Sequence, residues 1–582
     1  MPDLTAGHLS AALAGAELRD VRVAGHPALD AVYVAVRDES WRTVPGEVTA
    51  RRTAGTAEGT ITELEVRHRF GGIGFRWRGT IETSADVVRF TMDGVAESDF
   101  DANRIGFGML HPQALKGRPL RVCGSGGELT GTFPGEISPA RLFTGVTSMT
   151  YGVGDGAELE IQLDGDLFEI EDHRNWSDPG WKTYCTPLSA PQPVHHTTGQ
   201  HTRQSVELRA WVPRVAARRR RAGGAARLEV GSAVIGAIPP LGLGASCLPP
   251  ARAAARDVVR GLRPAHLHVE LEDGGPWESR LELALAEAAG LGVPLDVALV
   301  ATAGRVAALA RHIAHHAGEL GRVSVFSPVR HSTDAGTVAA ARAVFSDLGR
   351  SVPLGGGSRA HFAELNRGDF DLASWDFVTY GLTPQVHHAG GRSVLATEAA
   401  IADGLAQAKT IARGLPVVTG PITLRPRFNA AAARAEPLPA ADDDGPDVDE
   451  RQHTQLAALY LAAAVSRLAG AYAATAFRTI GRRGVVAADG TPAPAARVVA
   501  ALTSLAGSAV RRTASPGTVV GLAAATPAGL SLLVTNLAPQ STPLELAGAK
   551  ATEADVLGGG ALNPHRLVLP GHSVTSIRAV EA

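Results

Sequence analysis

His266-Leu-His-Val-Glu-Leu-Glu272 alternates titratable and apolar side chains, which on a strand sets His266, His268, Glu270 and Glu272 on one face and Leu267, Val269 and Leu271 on the other. Carboxylates and imidazoles presented together are the raw material of general acid/base chemistry. His268 and Glu270 are also two parts of a metal-ligand set; the spacing does not complete it, so no cofactor is expected, with a divalent metal left open. Further along, Gly355-Gly-Gly-Ser-Arg-Ala-His-Phe-Ala-Glu-Leu-Asn-Arg367 puts His361, Glu364, Asn366 and Arg367 after glycines that let the backbone approach a ligand. Thr383-Pro-Gln-Val-His-His388 and Thr423-Leu-Arg-Pro-Arg-Phe-Asn429 repeat the pattern, each polar and each following an apolar run. A fifth stretch, 168–184, begins as an alternating half-buried strand and ends in the turn Ser177-Asp-Pro-Gly180. Between the two it packs Asp172, His173, Arg174, Asn175 and Trp176, a density that either satisfies itself as a polar network or grips a polar ligand.

These residues need elements to hold them. Up to about residue 212 the chain reads as short alternating strands separated by Gly, Asp and Pro, with five of the seven tryptophans, and predicts an antiparallel β-sandwich. From about 226, short apolar runs at 233–237, 266–271, 295–300, 323–326, 352–354, 377–380, 417–422 and 471–477 alternate with Ala-rich amphipathic helices. Eight such units make a (β/α)8 barrel of the TIM type, in which catalytic groups sit at the C-terminal strand ends. That is where the polar stretches fall. From Thr518 the chain returns to strands. The expected organisation is therefore an N-terminal β-sandwich domain at 1–225 ending in an Arg-rich linker, a barrel at 226–512, and a small C-terminal β domain at 513–582.

Composition narrows the function. A net charge of −2 with 20% charged residues gives no electrostatic case for nucleic acid or an anionic membrane. Arg218-Arg-Arg-Arg221 is isolated and Gly-flanked, and reads as a solvated linker; Asp442-Asp-Asp-Gly-Pro-Asp-Val-Asp-Glu450 reads as a solvated loop or a lid. Three widely spaced cysteines support neither a disulfide framework nor a zinc site. Neither a leader-like start nor a long uncharged apolar run is seen, so a cytoplasmic location is expected. No Gly-x-Ser-x-Gly elbow occurs, which disfavours a serine triad of the α/β-hydrolase kind. On these grounds alone the expectation is a barrel enzyme with sandwich domains, acting on carbohydrate.

Several blocks together resemble the bacterial D-apionate lactonases: Val36-Arg-Asp-Glu-Ser-Trp41, Asn103-Arg-Ile-Gly-Phe-Gly-Met-Leu-His-Pro112, the 168–184 stretch, Pro239-Pro-Leu-Gly-Leu-Gly244, Phe362-Ala-Glu-Leu-Asn-Arg367, Pro384-Gln-Val-His387 and Leu424-Arg-Pro-Arg-Phe-Asn429. The resemblance runs from about residue 30 to about 485. It implies hydrolysis of D-apionolactone to D-apionate in apiose catabolism, with a small sugar lactone as the partner. One departure stands out: the family tends to carry Tyr-Glu-Thr-Thr-Gly-Trp-Arg-Gly after the eighth strand, where this chain has Phe477-Arg-Thr-Ile-Gly-Arg-Arg-Gly484, so Arg478 replaces an acid. Lactone opening needs a base for water and donors for the developing oxyanion. The expected catalytic residues are Glu364, His387 and Glu270. Gln385 and Arg425 are expected at the oxyanion or at hydroxyls, and Asn366, His361, Asp172, Arg174 and Asn175 at the substrate. Two other readings stay open: a barrel glycosidase using Glu270 and Glu364 as its paired carboxylates, and a non-catalytic carbohydrate-binding relative.

Overall fold

The computed structural model describes residues 4–124, 126–213, 225–249, 253–431, 445, 447–515 and 517–582. The basic tetrad at 218–221 and residues 442–444 of the acidic run lie outside the described residues. The chain divides into two compact units: Met1–Arg174 with Pro179–Ala222 and Ala431–Ala433, and Asn175–Asp178 with Gly223–Ala430 and Arg434–Ala582.

Among the described residues of the first unit, seventeen strands pair antiparallel throughout. Alternating strands such as Ile73–Ser84 and Val87–Ala96 turn Phe75, Ile81, Phe90 and Met92 into one apolar core shared with Leu64, Phe107 and Val206. Trp77 and Trp181 belong to that core, whereas Trp211 is exposed. The dense polar stretch splits here. Arg174 clamps Asp172 through Nη2 at 2.6 Å and Nε at 2.9 Å, and donates further to the carbonyls of Pro134, Gly135 and Glu136. Both side chains are fully buried. Asp172 and Arg174 were expected to hold substrate; instead they tie the end of the strand Phe168–Asp172 to the loop at 134–136, because a buried carboxylate and guanidinium must satisfy one another.

The second unit holds the barrel. Its strands are β1 (Leu241–Gly244), β2 (Leu267–Glu272), β3 (Leu295–Val300), β4 (Leu320–Phe326), β5 (Leu354–Gly357), β6 (Phe377–Leu382), β7 (Val417–Ile422) and β8 (Ala473–Ile480), all parallel. β1 also pairs with β8, which closes the ring. The helices between them are α1 (Ala253–Leu262), α2 (Trp277–Leu291), α3 (Ala303–Ile313), α4 (Thr337–Asp347), α5 (Phe362–Arg367), α6 (Gly391–Ala396), α7 (Glu398–Ile411), α8 (Gln455–Ser466) and α9 (Pro494–Ser504). The polar stretch after the glycines of β5 forms the short helix α5. No described helix is long and apolar enough to cross a membrane.

The run at 233–237 is not the first barrel strand. It ends a longer strand, Ala226–Ala237, which pairs antiparallel with Ala509–Ala514 and parallel with Thr542–Ala547. These strands belong to a separate eight-stranded sheet with Val519–Thr526, Gly529–Asn536, Ala549–Val556, Val568–Leu569 and Ser573–Glu581. The segments entering and leaving the barrel are thus joined to each other. α8 shows the consequence: it is buried all round, from Ala457 to Ser466, because it packs on the strands Val519–Thr526, Gly529–Asn536 and Ser573–Glu581 on one side and on α7 and α9 within the barrel.

Candidate active site

Alternation on β2 sends His266, His268 and Glu270 into the barrel at successive heights. At the N-terminal end, His266 Nε2 meets Thr475 Oγ1 at 2.7 Å, and Asp296 on β3 receives Arg322 of β4 through Nε at 3.0 Å. This buried layer seals the floor of the barrel. Burial pushes the His266 imidazole down to about 3.

At the C-terminal end, Glu270 organises the mouth. Its Oε1 accepts from Arg359 Nη1 at 2.5 Å, and its Oε2 accepts from Arg427 Nη1. Arg359 follows β5, where Gly357 has φ +135 and a Cβ would sit 2.1 Å from the Thr379 carbonyl, so only glycine fits. Arg427 follows β7. Both guanidinium groups lie over the Phe428 ring, at 4.4 and 5.3 Å. Arg359 Nε also reaches His331 Nδ1 at 3.2 Å. Burial alone would raise the Glu270 pKa, but Arg427 and Arg359 outweigh it and hold it down to about 2. Glu270 is therefore a fixed anion and an anchor for two arginines. With both of its oxygens held by guanidinium groups it does not form a ligand set with His268.

A second network sits beside it. The buried Asp449 accepts from Arg451 Nη2 at 2.7 Å, from Gln385 Nε2 at 2.7 Å and from Arg425 Nε at 3.2 Å. Gln385 also donates to the Leu424 carbonyl at 2.7 Å and accepts from Arg451 at 2.9 Å. Burial raises the Asp449 carboxyl, but the bonds from Arg451 and Gln385 bring it well below the usual range. Gln385, expected to touch substrate, is consumed in fixing this acid. Among the described residues Arg425 is held through Nε alone, and its side chain is 41% exposed.

A cleft of about 700 Å³, counting the space open to solvent, opens over these groups. His268, Glu270, Arg425 and Arg427 line it, and so do Arg478 and Arg483 from the end of β8 and the loop after it. A smaller recess lined by Arg359, His361, Thr383 and Phe428 shares Pro421, Thr423 and Arg427 with it. Burial pushes the His268 imidazole down to about 4 against the pull of Asp296 and Glu270, so it is neutral at physiological pH.

The other expected residues fall into two groups. Glu364 sits in the first turn of α5, where its carboxylate accepts from the His361 backbone N–H at 2.9 Å and from Ser358 Oγ at 3.1 Å. That is a helix-capping role, and Glu364 lines neither cleft. His387 instead gathers the residues of the 168–184 stretch that fall in this unit: its Nδ1 meets Asp178 Oδ2 at 2.5 Å and its ring stands edge-on to Trp176 at 5.5 Å. Arg367 lies over Trp176, and Asn366 Nδ2 donates to Asn175 Oδ1 at 2.9 Å. Asn175 and Asn366 thus satisfy each other. Arg359, Arg427, Asp449 and Asp178 were not singled out from sequence. The arginines were masked by the Arg-rich composition, and Asp178 by its place in a turn.

The comparisons with known proteins agree in order along the chain. Residues 1–212 match the family model for the D-apionate lactonase N-terminal domain, and residues 243–507 match that for the D-apionate lactonase TIM barrel domain. The chain is 29% identical over 528 residues to a D-apionate lactonase of Brucella anthropi, covering 84% of each chain. Among solved structures, a GH30 endoxylanase from Clostridium papyrosolvens C71 is 12% identical, covering 62% of this chain and 100% of its own, with a TM-score of 0.41. A family 51 α-L-arabinofuranosidase from Bifidobacterium longum is 11% identical at 62% and 100% coverage, with a TM-score of 0.43. Likenesses that loose carry no chemistry. The two family matches span both the antiparallel domain and the barrel that bears the Glu270 cluster, and the chain belongs to the D-apionate lactonase family.

Proposed function

We propose that the protein hydrolyses a sugar lactone at the barrel mouth, with D-apionolactone going to D-apionate as the reaction its family points to. The observation that carries this is one cleft lined by a neutral imidazole, His268, and a guanidinium, Arg425, which Asp449 orients through Nε alone. His268 takes a proton from water as the oxygen attacks the lactone carbonyl carbon. Arg425 donates to the oxyanion that forms, and its charge is worth most there because the site is partly dry. The tetrahedral intermediate then collapses by breaking the ring C–O bond, and the proton returns to the departing alkoxide. Arg427, rigid against Glu270, fixes the wall that the sugar rests on.

The geometry favours this over a glycosidase. Retaining and inverting enzymes need two carboxylates free to act. Among the described residues the two carboxylates that line the cleft, Glu270 and Asp447, are each held by arginine, and Glu364 caps α5.

The Asp178–His387 pair supports a second assignment of the base within the same reaction, since a carboxylate on Nδ1 orients an imidazole to work through Nε2. Proton release on adding D-apionolactone, compared with the spontaneous rate, tests the activity. His268→Asn lowers turnover by about two to four decades if His268 is the base. Full turnover in that variant together with loss in His387→Asn transfers the role to His387.

A further inference from the structure

The far side of the cleft carries arginines that the hydrolysis of a neutral lactone does not use. β8 does not alternate regularly at its end: Phe477 is left-handed at φ +47, and the pairing with β1 slips between Leu243↔Ala476 and Gly244↔Arg478. On a regular strand residues 477 and 478 would face opposite ways; with the bulge, both line the cleft. A non-glycine residue in that conformation is strained, and such strain persists where it re-aims a functional side chain. The side chain it re-aims is Arg478. Its Nη1 is buried with no hydrogen-bond partner among the described residues. Burial, with Arg280 and Arg483 nearby, outweighs the pull of Cys247 and Asp447 and brings its pKa down to about 10.

Its neighbours offset its charge only in part. Arg280 from α2 lines the same cleft, and its Nε is likewise buried without a hydrogen-bond partner among the described residues. Asp447 is spent on Arg483, which donates to it through Nε at 2.7 Å and Nη2 at 2.6 Å. The opposite carboxylate, Glu270, already carries Arg359 and Arg427. Bringing like-charged guanidinium groups together and leaving buried N–H groups unmade both cost free energy, and a bound anion relieves both. A planar carboxylate is the anion whose two oxygens match a guanidinium edge.

We infer that Arg478 and Arg280 form a carboxylate subsite, so that the cleft also takes sugar lactones carrying a second, free carboxylate away from the ring that opens, and takes them in preference to matched lactones that lack it. This rests on the lactone-hydrolase reading of the cleft. The subsite makes the product a dicarboxylate, held at one end by Arg425 and at the other by Arg478.

The test uses a matched pair, D-glucaro-1,4-lactone and D-glucono-1,4-lactone, which differ in a carboxylate against a hydroxymethyl group at C6. The full-length protein is expected to hydrolyse the glucarolactone with kcat/KM at least about tenfold higher, one charge-assisted bidentate pair being of that order. Arg478→Gln is expected to erase the ratio, and Arg280→Gln to reduce it. Equal rates on the two lactones, or a ratio that survives in a folded Arg478→Gln protein, overturn the subsite. Titration calorimetry with D-glucarate against D-gluconate separates this from the lactonase reading. Tighter binding of glucarate that depends on Arg478 supports the subsite even where neither lactone turns over, and equal binding of the two acids overturns it. Should Arg478→Gln fail to fold, the Arg280→Gln calorimetry decides alone.

Discussion

Arg359 and Glu270 meet at 2.5 Å across the barrel mouth, from strand ends three strands apart, with the guanidinium and the carboxylate both almost wholly buried. Such a pair contributes little net stability while intact, because desolvation offsets most of the attraction, yet removing one partner strands the other. Glu270 serves Arg427 as well, so its loss leaves two cations facing one another. Glu270→Gln is therefore expected to destabilise the protein by about 3–5 kcal/mol, read from urea unfolding. A change under about 1 kcal/mol would mean that water already screens the cluster.

Acid should act on the barrel in two stages. His266, His268 and His331 have folded pKa values of about 3, 4 and 4, all below the ordinary 6.5, mainly because they are buried. The unfolded chain therefore binds protons that the folded chain refuses, and the stability these groups support is complete above pH 6.5 and declines as pH falls toward 4. Glu270, held down to about 2 from 4.5, adds a loss between pH 4.5 and 2. Urea midpoints measured from pH 7.5 to 3.5 should fall through the first window, and His268→Gln should flatten part of that fall. A midpoint independent of pH between 6.5 and 4.5 contradicts the assignment.

Glu364 separates a cap from a catalyst. As the N3 member of the capping box that His361 opens on α5 it is worth about 0.5–2 kcal/mol, so Glu364→Ala should lose that much stability. Glu364→Gln keeps an acceptor for the His361 N–H and should retain turnover within about threefold, against the two to four decades that a general base would cost.

Asp449 acts on the reaction only through Arg425. Asp449→Asn keeps the shape but weakens the hold on Arg425, Arg451 and Gln385, and a misplacement of about 1 Å at the oxyanion costs about a hundredfold. Lactone turnover should therefore fall in kcat more than KM rises. A rise in KM alone would make Arg425 a substrate holder instead.

Much of this was legible in the chain. Strict alternation at 266–272 fixed which face of β2 points inward, and the polar stretches after β5, β6 and β7 include residues that line the two clefts. What escaped was pairing over long range. Glu270 meets Arg359 and Arg427 because the ring closes, and closure depends on β1, a four-residue strand with two glycines that carries almost no pattern. The apolar run at 233–237 looks more like a strand than β1 does, and only its pairing with 509–514 assigns it elsewhere. Glu364 was hidden for another reason: the spacing His361-x-x-Glu364 is that of a capping box, but histidine is an unusual first member, so the carboxylate reads as chemistry.

α8 is a keystone. Because apolar side chains cover its whole circumference, it has no face that water would tolerate, and it can be at home only while the sheet formed by 226–237 and 509–581 is in place. A gene fragment trimmed to 241–504, the natural cut for someone wanting a minimal catalytic barrel, would bare that helix and precipitate. The terminal sheet, remote from the chemistry, thus sets how short the enzyme can be made.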